Sequence, residues 1–379
     1  MRPVVRCASG GCTSALLLVC RVVSVPALLS SRIARGVLAL ALGAIAGWIC
    51  SGLHTPIPWM LGPLATIAVL RVAGMELTVL PGSRQLGQWV IGTSLALYFT
   101  PQVVREVAGL WPLLAAGALF AIFTGYASGL ALSRLARMDG TTAVFACVPG
   151  GAAEMSVLGE RYGARVDKVA AGQSIRILVV VVVVPAIYTA LHLHGVDLYV
   201  PGARDFAPGG FALLLAATGV GGYVVQRCGV PNAFVLGPLL VAIPLTAMEI
   251  NLSSVPTWAS NAAQCLIGCA LGSRFEPEFL KGAPRFVSAM IFTSLAAIAV
   301  SAVFGLALAS AAGLYPATVI LGTTPGGIAE MCITAKVLQL GVPVVTCFHV
   351  ARVVVLLLGT GPFFAWTRRL RRLSPERDA

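Results

Sequence analysis

Apolar residues run through this chain in long blocks separated by short polar interruptions. Blocks able to enter or span a bilayer fall at 37–53, 58–73, 86–100, 108–133, 142–158 and 171–191. A second set falls at 209–226, 233–248, 259–273, 285–312, 317–336 and 344–366. A spanning helix needs about 20 residues, so 86–100 and 259–273 are short, and Pro and Gly interrupt several others. The pattern predicts an all-α polytopic membrane protein with about 9 to 12 crossings, some of them broken or re-entrant. Between the sets lies a polar linker, 193–208, rich in Asp, Pro and Gly.

Composition sharpens this. Apolar residues make up 58% of the 379 and charged residues only 11%, against about 25% in a soluble domain. Such a chain lacks the polar surface a soluble fold needs. The first acid is Glu76, and the +12 formal charge is dispersed over loops and ends, which excludes a nucleic-acid binder. Residues 1–35 form a basic lead-in whose apolar stretch is cut by Arg21, unlike a cleaved signal peptide. The basic tail, 368–379, with Arg368, Arg369, Arg371, Arg372 and Arg377, argues for a cytoplasmic C-terminus. A multi-pass protein of the bacterial inner membrane is the expected setting, with the lipid bilayer as partner. The ten cysteines lie mostly in apolar runs without a CxxC pair. Cys265 and Cys269 share a helix face, as small apolar filler or as a soft-metal pair; filler is the better reading, and no metal or cofactor is expected.

The two sets of blocks are copies. Leu61-Gly62-Pro63-Leu64 recurs as Leu236-Gly237-Pro238-Leu239, an offset of 175. Gln88, Ile91-Gly92 and Phe99 recur as Gln264, Ile267-Gly268 and Phe275, an offset of 176. Pro149-Gly150-Gly151 with Ala153-Glu154-Met155 recurs as Pro325-Gly326-Gly327 with Ala329-Glu330-Met331, and Arg176 recurs as Arg352, both again at 176. Collinear matches at a steady offset mark an internal duplication, with repeats at 36–192 and 209–367 of five to six segments each. Duplicated membrane halves with Gly- and Pro-interrupted segments at matching places are the pattern of secondary transporters. Whether the halves are inverted or parallel stays open at this level.

The chemistry gathers at the Pro-Gly-Gly motifs. Glu154 and Glu330 each follow one inside an apolar block. Gly150, Gly151, Gly326 and Gly327 can release backbone groups from a helix ladder, and the half-helix beginning there offers N–H groups and partial positive charge to an anion. Irregular backbone at membrane depth is tolerated only where it is buried in protein or lines a cavity. Arg176 and Arg352 stand 22 residues beyond each glutamate. A charge at the bilayer centre costs about 2.5–3.5 kcal/mol, so matched charges in both halves call for a reason. Three readings fit. The arginines bind an anionic solute while the glutamates handle a proton or cation; the four form two ion pairs that lock the halves together; or the arginines snorkel to headgroups.

Gln88 and Gln264 offer donors to a ligand or a freed carbonyl, or hydrogen bonds between helices. The Leu-Gly-Pro repeats read as kinks or cavity-lining bends, and Thr142 and Thr318 as caps for freed backbone. His349 occupies the place of Gln173, which suggests a shared polar role. No HExxH, Gly-x-Ser-x-Gly or Walker-type loop is present, so an enzyme is not expected.

On the paired Pro-Gly-Gly-x-Ala-Glu-Met motifs the chain resembles the AbrB-like bacterial membrane protein family over about residues 36–368. The resemblance implies a duplicated inner-membrane protein. Members are labelled regulators of gene expression, and some ammonia monooxygenases. A monooxygenase needs a copper or iron site, which four scattered histidines do not supply. A regulatory effect would have to be indirect, since nothing here suits a DNA groove. The function these observations favour is a secondary transporter or efflux permease for a small anionic solute of unknown identity. The alternative is a membrane-embedded sensor that affects gene expression indirectly. Homo-oligomer formation is left open.

Overall fold

The computed structural model describes residues 31–53, 55–195, 205–275 and 283–373, with the side chains of 368–373 left aside. Most of the lead-in, His54, most of the linker and the end of the basic tail lie outside the described residues. Within them the chain folds into fifteen α-helices and no strand. In chain order these are α1 Arg32–Gly52, α2 Pro58–Val72, α3 Ser83–Ala96, α4 Pro101–Gly109, α5 Trp111–Ala136, α6 Gly140–Cys147, α7 Ala152–Arg161 and α8 Val166–Ala190. They continue as α9 Pro208–Arg227, α10 Ala233–Ala247, α11 Thr257–Gly272, α12 Pro284–Ala312, α13 Pro316–Thr323, α14 Ile328–Val337 and α15 Val342–Leu373.

Six of them (α1, α5, α8, α9, α12 and α15) are long and apolar enough to cross a membrane. Large apolar side chains such as Trp48, Val303 and Leu358 stand exposed on them. In water that surface would be costly; against lipid tails it is not. α2 and α10 are apolar but shorter. The apolar blocks at 142–158 and 317–336 each divide into two helices: α6 then α7, and α13 then α14. α4 lies where the blocks predicted only a gap; Thr100 caps it, accepting from Val103 N at 3.4 Å, and Pro101 opens it.

The helices assemble in two groups. One contains α1, α2 and α3 with α9, α10 and α11; the other contains α5 to α8 with α12 to α15. In each group the pairing crosses between halves of the chain. α2 packs on α11 and α3 on α10, while α5 packs on α15 and α12 on α8. Small residues allow these approaches. A Cβ at Gly92 would lie 3.3 Å from Pro238 Cβ, and one at Gly268 would lie 3.2 Å from Pro63 Cβ, so each Ile-Gly motif meets the other half's Leu-Gly-Pro motif. A Cβ at Gly129 would fall 2.9 Å from Val144 Cγ2, and one at Gly305 would fall 2.7 Å from Ile320 Cα. Gly62 and Gly237 allow α1 and α9 the same closeness: a Cβ at Gly62 would lie 2.8 Å from Ala46 O, and one at Gly237 2.5 Å from Gly221 C. Cys265 and Cys269 sit on the buried side of α11 facing Gly43 of α1, where they fill space between helices. Phe120 and Phe304 stack at 3.9 Å between centroids where α5 meets α12.

Candidate functional site

Residues 148–151 join α6 to α7, and residues 324–327 join α13 to α14. The two connections, each with its following short helix, are called the first and second tips below. Side-chain caps fix the elements around the first tip. Asp139 accepts from Thr142 N at 2.7 Å at the start of α6, and Thr142 Oγ1 accepts from Arg165 N at 2.9 Å where α8 begins. Thr142 therefore caps backbone, though at α8 rather than at the tip itself.

The backbone at the second glycine of each motif is ordinary: Gly151 has φ −70° and ψ 145°, Gly327 has φ −79° and ψ 154°. Any residue adopts those angles, so glycine is required there for space and not for conformational freedom. The Glu154 carboxyl group folds back over Gly151, where a Cβ would come 2.7 Å from its Cδ; Glu330 does the same over Gly327 at 2.8 Å. Each carboxylate thus sits at the N-terminus of its own helix, where the unpaired N–H groups favour negative charge. Met155 wraps over Gly150, with Sδ 2.8 Å from where a Cβ would be, and Met331 wraps over Gly326 with Sδ at 2.7 Å. The spacing of the motif follows: one glycine makes room for the methionine and the next for the glutamate.

Arg176 and Arg352 are buried, each 3% exposed, which removes the headgroup-snorkelling reading. They reach backbone carbonyls. Arg176 Nη1 donates to Cys147 O at 3.2 Å and Val148 O at 2.8 Å, and Nη2 to Gly150 O at 3.4 Å. Arg352 Nη1 donates to Thr324 O at 2.7 Å, and Nη2 to Gly326 O. Neither forms an ion pair with its glutamate within 4 Å among the described residues. Each guanidinium satisfies carbonyls released where a short helix ends, a role its planar fork suits. Gln173 assists at the first tip, donating from Nε2 to Phe145 O and Val148 O, both at 2.8 Å. Its counterpart His349 is fully buried, with its ring set beside the Leu321 backbone.

The two tips meet at one cavity of about 380 Å³. Gly150, Gly151, Glu154 and Arg176 line it from the first half, and Gly326, Gly327, Glu330 and Arg352 from the second. Gln88 lines it too; Gln264, its counterpart, is buried on α11 outside that lining. Sequence reasoning missed Arg84, at the start of α3, and Arg274, just past α11, which also line it. A neighbouring cavity of about 550 Å³ shares Ala152, Ala153 and Arg274 and runs along α7 and α8 past Ser156, Asp167 and Ser174.

The tips differ in exposure. In α14 every residue from Ile328 to Ala335 is buried, and Glu330 is 1% exposed with Oε1 lacking a partner. In α7 only Met155, Ser156 and Gly159 are buried, and Glu154 is partly exposed.

Fold and site together describe an all-helical protein of membrane character with one polar cavity between two matching tips. The chain belongs to the AbrB family: the family model described as "Transition state regulatory protein AbrB" matches residues 59–368. It is 25% identical over 331 residues to "Putative regulator AbrB" of Escherichia coli (strain K12), covering 86% of this chain and 93% of that one. It is 23% identical over 364 residues to "Uncharacterized protein YhjN" of Bacillus subtilis (strain 168), covering 89% and 94%.

Proposed function

We propose that the protein is a secondary transporter or permease of the bacterial inner membrane that carries a small anionic solute. The observation carrying this reading is the convergence of both tips on one cavity where a buried carboxylate oxygen, Glu330 Oε1, has no partner. A volume of about 380 Å³ suits a small solute. Under this reading the chain is two homologous repeats whose helices are interrupted at Pro-Gly-Gly near the membrane midplane. The spacing supports it: α6 and α13, and α7 and α14, have bounds 176 residues apart, the offset of the sequence motifs.

Glu154 and Glu330 carry the coupling proton or cation, each beside the helix terminus where the solute's charge would compete with it. Arg176 and Arg352 hold the tips in shape by occupying their carbonyls. The unequal exposure of α7 and α14 supports access from one side at a time, with the first tip reached through the 550 Å³ cavity and the second sealed. Transport then exchanges the two arrangements. No chemical step on the solute is part of this reading.

The family's description and the Escherichia coli relative's name both speak of a regulator, which favours a second reading, a membrane-embedded sensor acting on gene expression indirectly. Flux separates the two. Proteoliposomes with an imposed proton gradient are screened with small organic acids and amino acids, with wild type beside a Glu154→Gln, Glu330→Gln double variant. Gradient-driven uptake that the folded double variant loses supports coupled transport. Absence of flux for every solute, with both proteins equally stable, overturns it in favour of the sensor.

A further inference from the structure

We infer that Arg84 and Arg274 are the groups that hold the solute's charge, and that the solute is a compact dianion. The inference rests on the transport site proposed above and deepens it.

The arginines that sequence alone marked for anion binding are already engaged. Arg176 and Arg352 are buried and directed at the carbonyls of their own tips. Withdrawing them for a solute would take the donor from Cys147 O, Gly150 O and Gly326 O, at the cost of buried, unpaired acceptors. Arg84 and Arg274 carry no such commitment. Both are partly exposed on the cavity wall. Arg274 Nη1 makes one long contact to Ser174 Oγ at 3.5 Å, and Arg84 Nε is buried without a partner. Neither forms an ion pair with a described residue.

Charge then sets the class of solute. Four arginines and two glutamates line the cavity, a formal excess of two positive charges. Arg84 and Arg274 are close enough to repel one another, and Glu154 and Glu330 lie in electrostatic range of Arg274. A cleft lined mainly by one sign concentrates ions of the other. A monoanion would leave one cation uncompensated where water is partly excluded; a dianion neutralises the pair and relieves their repulsion. Gln85, Gln88 and Gln226 add neutral donors to the same lining. Two carboxylates a few carbons apart, or one phosphate, supply the shared chemistry.

The purified full-length protein is titrated in detergent with succinate, inorganic phosphate and acetate at matched ionic strength, and Tm is followed. A saturable rise with succinate or phosphate, at concentrations at least about tenfold below those needed for acetate, is expected, because a charge-assisted contact is worth that much or more. Preference between the two dianions tells a dicarboxylate from a phosphate. Arg84→Gln and Arg274→Gln should each weaken the dianion by about tenfold or more, and Arg274→Lys should recover part of the loss. Where a Gln variant does not fold, the corresponding Lys variant is read for its dianion-to-acetate ratio, which should fall. Acetate matching both dianions, no response to either dianion, or unchanged binding in both Gln variants overturns the proposal. Binding without flux would defeat the transport reading alone. Solute flux with unchanged KM in Arg84→Gln would defeat this one alone.

Discussion

Lys336 Nζ donates to Ser94 Oγ across 2.7 Å, tying the second tip helix to α3. At the first tip the equivalent positions are Glu160 and Ala270, 176 residues away, and they cannot make the same bond. The second tip helix therefore carries a tether particular to that half. Replacing Lys336 with Met, or Ser94 with Ala, should loosen α14 and expose its buried side. Cys332, fully buried on α14, reports this. In a variant keeping Cys332 alone, a water-soluble maleimide should react slowly with the Lys336 protein and several-fold faster with Lys336→Met. Equal rates would show that packing alone seals the tip.

Arg352→Lys tests the carbonyl-binding role. A guanidinium reaches Thr324 O and Gly326 O together, whereas an ammonium is a point donor and cannot hold that fork. The expected loss is about 1–3 kcal/mol of stability, read as lower Tm in detergent, with Arg176→Lys behaving alike. Wild-type Tm with a raised KM in either variant would instead place that arginine on the solute.

Gly151→Ala and Gly327→Ala probe the glutamates without altering their charge. The new methyl group would meet the carboxyl folded over it, while the backbone angles remain allowed. Each should reduce gradient-driven flux by about tenfold or more, the effect of displacing a group that handles protons, and leave membrane insertion intact. The second tip should suffer more, because Glu330 is enclosed where Glu154 can swing toward solvent. Unaltered flux in both variants would detach the glutamates from coupling.

Much of this arrangement is legible in the sequence because its motifs recur at a steady offset of 176. Glu154 with Arg176 and Glu330 with Arg352 stand out as charges in apolar blocks, and each pair does line the cavity. What the arginines touch is not legible. Cys147, Val148 and Thr324 offer only backbone carbonyls, which every residue has, and the pairing depends on where the short helices stop. Arg84 and Arg274 escaped because they do not recur at that offset, where Ser260 and Tyr98 stand. Their signal was positional, since each sits at the end of a helix too short to span, and Arg84 lies one turn before Gln88. α4 was hidden for another reason, an amphipathic helix of nine residues placed between apolar blocks.

Gly92 and Gly268 offer a test of the two-repeat architecture that needs no solute. A Cβ at Gly92 would come 2.9 Å from Val235 O and 3.3 Å from Pro238 Cβ; one at Gly268 would come 3.2 Å from Met60 C and from Pro63 Cβ. Backbone on the facing helix cannot move aside as a flexible side chain does, so a larger residue forces α3 from α10, or α11 from α2. Gly92→Leu and Gly268→Leu should each destabilise by about 1–3 kcal/mol, as overpacking does. If the halves are structural equivalents, the two losses should agree within about 0.5 kcal/mol. Chemical unfolding of the purified protein measures this. A large loss at one glycine and none at the other would mean that the crossed packing supports only one half, and the repeat reading of the helix bundle would fail with it.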